Sequence, residues 1–136
     1  MEKIITYIKI ASAGICTFLG GYDMTLKVLF VFMAIDILTG VLMALYNQEI
    51  NSKKAYRGGI KKIGMLLVIS LAFKLDQFFG TDFVRNAAIG YYVATEGISI
   101  LENWGKMELP LPSFIKSILI QLKEKSDKGK DSGVIE

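Results

Sequence analysis

The 136 residues include no histidine, one cysteine and two prolines. Without histidine there is no Cys/His dyad, no Ser/His/Asp triad and no histidine-ligated zinc site. A single cysteine, Cys16, excludes an internal disulfide framework. No Walker loop, dinucleotide fingerprint or metal-ligand cluster occurs, so no catalytic, cofactor-binding or metal residue is assigned, and the sequence does not read as an enzyme. The two prolines, Pro110 and Pro112, mark one break near the C-terminus.

What the sequence has in excess is apolar side chains. They make up 52% of the residues, with a mean hydropathy of +0.43. A soluble monomer of this size buries only about two thirds of its unfolded surface, too little to hide them. Four apolar segments meet the need for roughly 20 residues to cross a core of about 30 Å. They are residues 4–22, 26–46, 60–79 and 83–101, and the second, VLFVFMAIDILTGVLMALY, carries a single charge. The fold class expected is all-α and integral to a membrane, a small bundle of about four transmembrane helices followed by a C-terminal amphipathic helix. Lys9 weakens the first segment, leaving three spans plus an interfacial helix as an alternative. Lys3 before an apolar run resembles a secretory signal, but Lys9 interrupts that run, and a retained first helix is expected.

The connections give a direction. Gly20-Gly21-Tyr22-Asp23 and Gly80-Thr81-Asp82 are short turns, whereas residues 47–62 read as a loop holding Lys53, Lys54, Arg57, Lys61 and Lys62 against Glu49 alone. Such a loop belongs on the cytoplasmic side. Lys3 and the C-terminal lysines share that side if four helices alternate, so both termini are expected inside. Gly58-Gly59 reads as a turn before the third span. The basic loop lacks the aromatic interleaving of a nucleic-acid module, which makes anionic lipid its expected partner. Residues 1–105 form the transmembrane unit. In residues 106–136, Ser113 caps a helix in which Phe114, Ile115, Ile118, Leu119 and Leu122 recur at helical spacing. That helix either lies on the inner leaflet or packs on its neighbours. Beyond Lys125 the composition predicts disorder.

Charges inside apolar segments are costly and mark packing or function. Asp36 lies near the middle of the second span with Thr39 and Gly40 at helical steps, and Glu96 shares a face of the fourth with Ser99 and Asn103. These six intramembrane residues are expected either to hold the helices together through interhelical hydrogen bonds or to line a polar seam used in oligomerisation. Candidate cations are Lys9 and Lys74, and depth favours Lys9 with Glu96.

The segments DILTGVL from Asp36, SKKAYRGGIKKIGML from Ser52 and EGISILENWGKMELPLP from Glu96 resemble the phage-lysis and toxin-secretion holin family of phages from clostridia and related Gram-positive bacteria. The similarity covers residues 29–123. It implies a homo-oligomer in the bacterial cytoplasmic membrane that opens lesions at a set time, letting an endolysin or a large toxin cross, without direct contact with that cargo being required. Asp36, Thr39, Gly40, Gly58, Gly59, Glu96, Gly97, Ser99, Glu102 and Asn103 match positions characteristic of the family. A second start codon close to Met1 is absent; the next methionine is Met24. A small channel or transporter, or a membrane adaptor, stands as the alternative.

Overall fold

A computed structural model describes residues 1–132. It comprises α1 (Glu2–Phe18), α2 (Met24–Tyr46), α3 (Ser52–Phe79), α4 (Phe83–Lys106) and α5 (Ser113–Ser132), with no strand among the described residues.

Local chemistry sets the boundaries. α1 ends before the expected residue 22, because Gly20 and Gly21 take φ of 93° and 103°, which only glycine adopts freely. Asp23 then caps α2, accepting hydrogen bonds from the Leu26 amide at 3.1 Å and the Thr25 hydroxyl at 2.9 Å. α2 stops at a reversal where Gln48 has φ 54°. Asn51 caps α3 through its side-chain oxygen, which accepts from the amides of Lys53 and Lys54.

That cap overturns the reading of residues 47–62 as a loop. Only residues 47–51 are non-helical, and Lys53, Lys54, Arg57, Lys61 and Lys62 occupy the first turns of α3. Lysine, arginine and alanine are good helix formers, and once Asn51 satisfies the first amides the helix propagates through Gly58 and Gly59 despite a cost of about 1 kcal/mol for each. Gly58 and Gly59 are therefore helical and not a turn; both face open space. At its far end α3 closes on Gly80 in the left-handed conformation, φ 68°.

α4 is the central helix, packing against α2, α3 and α5. Contacts of Arg85 with Asp23, and of Asn103 with Asp36, make α2 and α4 parallel. Asp76 near Arg85 and Lys62 near Glu96 make α3 antiparallel to both. Leu19, Leu26, Leu29, Met33, Ile69 and Ile89 form an aliphatic core in the half of the bundle nearer the α1–α2 and α3–α4 turns. α1 contributes no buried residue. α5 packs on α4, and its backbone stays helical to Ser132, past the Lys125 limit drawn from composition. The expected disorder of residues 133–136 lies outside the described residues.

The distribution of polarity is inverted relative to a soluble domain. Thr39, Ser70, Asp76, Arg85, Glu96 and Asn103 are buried, while Ile37, Leu38, Val41, Leu42, Leu67, Leu71 and Phe78 are more than half exposed. Among the described residues α2 alone is long and apolar enough to cross a membrane by its own composition, with a mean hydropathy of 2.5 over its best window.

Candidate functional site

Two polar clusters lie along the bundle. In the first, the Lys62 ammonium of α3 donates to Asp36 Oδ2 of α2 at 2.6 Å and to Glu96 Oε2 of α4 at 2.7 Å. One cation thus ties three helices together. Asn103 extends the cluster, its Nδ2 donating to Thr39 Oγ1 at 3.1 Å, Asp36 Oδ1 at 3.2 Å and the Asp36 carbonyl at 3.3 Å. The Thr39 hydroxyl donates to the Asp36 carbonyl at 3.1 Å. Gly40 lies beside the Asn103 amide; a Cβ there would stand 3.6 Å from Asn103 Nδ2, an ordinary van der Waals distance. The Glu96 side chain is 3% exposed, and those of Asp36 and Lys62 are 12% and 15%. Buried charges of this kind persist only when paired and hydrogen-bonded.

Of the residues expected in the seam, the structure brings Asp36, Thr39, Gly40, Glu96 and Asn103 together. Ser99 is half-buried on the same helix, outside the hydrogen-bonded set. The expected cations are corrected. Lys9 is exposed on α1, and Lys74 is exposed, donating to Gln77 Oε1 at 3.1 Å and lying over the Phe73 ring. Neither reaches Asp36 or Glu96. Lys62 does so because α3 begins ten residues before it, which carries the lysine into the bundle on a helical face turned away from Lys53, Arg57 and Lys61. The signal was the 100° step between residues 61 and 62, visible only once the segment is taken as helix.

The second cluster surrounds Arg85 at the opposite end and was not anticipated. The guanidinium is 8% exposed and donates to the Leu19 carbonyl at 2.6 Å, the Gly21 carbonyl at 3.0 Å and Asp23 Oδ2 at 2.6 Å. These bonds fasten the α1–α2 turn to the first turn of α4. Asp76 secures the α3–α4 turn, accepting from the Arg85 amide at 2.8 Å, the Val84 amide at 3.0 Å and the Thr81 hydroxyl. The Arg85 hydrogen bond holds the Asp23 carboxyl down at about 2, well below the usual carboxylate range. Gly20 is required beside this arginine, since a Cβ there would lie 2.7 Å from Arg85 Nε and 2.8 Å from the Phe73 ring. The cluster opens onto a cleft of about 470 Å³.

Charged groups joined inside a bundle that exposes aliphatic side chains along α2 and α3 suit a membrane helix assembly. Comparison with known proteins agrees. Residues 13–124 match the bacteriophage holin family. The chain belongs to this family. A Bacillus phage phi105 protein named probable holin is 31% identical over 104 residues, 76% of this chain and 77% of its own length. A Clostridium perfringens protein from the nagH 3′ region is 40% identical over 131 residues, covering 92% of this chain and 99% of its own. A Listeria monocytogenes protein is 33% identical over 133 residues, or 96% and 95% of the two chains. No solved structure matches. The holin family is not an enzyme family, and membership implies association with a membrane. The match leaves out most of α1, the helix that buries nothing in the bundle.

Proposed function

We propose that the chain acts as a holin, oligomerising in the bacterial cytoplasmic membrane and opening lesions through which an endolysin or a large toxin crosses. The observation that carries this reading is the inverted polarity: charged and amide side chains meet inside a three-helix bundle that exposes aliphatic side chains such as Leu38, Val41, Leu42, Leu67 and Leu71. Such a bundle has two ways to satisfy its polar groups. They pair internally, as Lys62 does with Asp36 and Glu96, or they face water in a larger ring of chains. Where the two arrangements are close in energy, moving one charge across 100 mV, worth about 2.3 kcal/mol, shifts the balance.

The topology of the proposal is four spans with both termini inside. The alternating directions of α2, α3 and α4 support it for three of those spans, as does the position of Lys53, Lys54, Arg57 and Lys106 at the end of the bundle away from Arg85. In the test, the chain is expressed from an inducible promoter with and without an endolysin that has no export signal. Abrupt growth arrest, with lysis only when the endolysin is present, is the expected result. Continued growth with the endolysin retained in the cytoplasm contradicts the proposal.

A further inference from the structure

α3 is longer than a membrane needs. Its 28 residues span about 42 Å at 1.5 Å per residue, against a hydrocarbon core of about 30 Å. Measured from the α3–α4 turn, the surplus falls at the N-terminal end of the helix. The C-terminal end is fixed beside Arg85 by the Gly80 cap and by Asp76, at the level where Asp23 starts α2. Roughly eight residues therefore emerge at the other end, and Lys53, Lys54 and Arg57 lie on them, with Lys61 one turn deeper. At 100° per residue, these four cations fall within an arc of about 100° of the helix surface, and all four are exposed. Tyr56, Ile60 and Ile63 occupy the adjacent arc, 72%, 51% and 61% exposed. Lys62 points away from both arcs, into the bundle.

On this basis, and resting on the reading of α3 as a membrane span, we propose that the Lys53–Lys54–Arg57–Lys61 stripe is a binding surface for the phosphates of anionic phospholipids in the inner leaflet. The cations stand at headgroup height, Lys61 reaching it by extending its aliphatic stem. Tyr56 sits at the interface, and Ile60 and Ile63 meet the acyl chains beside it. Charge complementarity selects the occupant: a zwitterionic headgroup offers no net charge to four clustered cations, whereas an anionic one does.

The test uses the full chain reconstituted in phosphatidylcholine vesicles containing a minority of phosphatidylglycerol, with each lipid spin-labelled in turn and the motionally restricted fraction measured. The expected result is a preference for phosphatidylglycerol on the order of tenfold, falling toward parity in high salt. It is lost when Lys53, Lys54, Arg57 and Lys61 are all changed to glutamine, and kept when the three lysines become arginine, which preserves charge and helix. Equal restriction of the two lipids by the native chain overturns the lipid site and leaves the membrane reading intact, as does a preference that survives the fourfold glutamine change. Restriction of neither lipid overturns both. Tighter binding of RNA than of phosphatidylglycerol by the same four residues would assign the stripe to a nucleic acid instead.

Discussion

One ammonium between two carboxylates leaves a cluster that depends on every member. Removing Lys62 strands Asp36 and Glu96 in an interior where unpaired charge is costly, so Lys62→Gln is expected to destabilise the bundle by about 3–5 kcal/mol. Combining it with Asp36→Asn and Glu96→Gln restores much of that loss, because three neutral polar groups can hydrogen-bond where lone charges cannot. Unfolding of the detergent-solubilised chain measures both, and a triple variant no better than Lys62→Gln would contradict the pairing. Gly20→Ala forces a left-handed residue against Arg85 and Phe73, at a backbone cost alone of roughly 1–2 kcal/mol. In contrast, Gly58→Ala meets open space inside a helix and gains up to about 1 kcal/mol. A thermal shift of the same sign for both would refute this contrast. Asp36 and Glu96 were legible in the sequence because a carboxylate in an apolar run is conspicuous by itself. Lys62 was not, since it stands among four other cations and is 26 residues from Asp36.

At the level of elements, the apolar run of α2 announced itself, while α3 began eight residues earlier than hydropathy indicated. Hydropathy finds the part of a helix that lipid covers and is blind to a basic extension held by an Asn51 cap. α1 is the reverse case: apolar enough to suggest a span, it buries nothing against the other helices. Deleting residues 2–17 is accordingly expected to leave the unfolding midpoint of α2–α4 unchanged, while a large drop would show that α1 packs on them. The turn-to-turn clasp gives a pH dependence with a defined sign. Asp23 is ionised more readily in the folded chain than in the unfolded one, its pKa lowered from 3.8 to about 2. Its stabilising contribution is therefore complete above about pH 4 and is lost as pH falls through about 2. The carboxylate is half exposed, which keeps the effect modest. Acid unfolding of Asp23→Asn should show less pH dependence in this window, and an unaltered profile would remove Asp23 from the clasp.

For the whole molecule, the division of the interior matters most. Aliphatic packing fills the half near the Arg85 clasp, and Lys62, Asp36, Glu96, Thr39 and Asn103 fill the other. The clasp joins turns at one end, so separation of the helices from the polar end alone would bring the seam to water without undoing the aliphatic half. The most direct test is release from vesicles bearing the purified chain and loaded with both a small dye and a folded protein of endolysin size. The lesion-forming reading predicts that dye and protein leave together in one abrupt step. Loss of dye or ions with the folded protein retained would contradict it and favour a narrow channel.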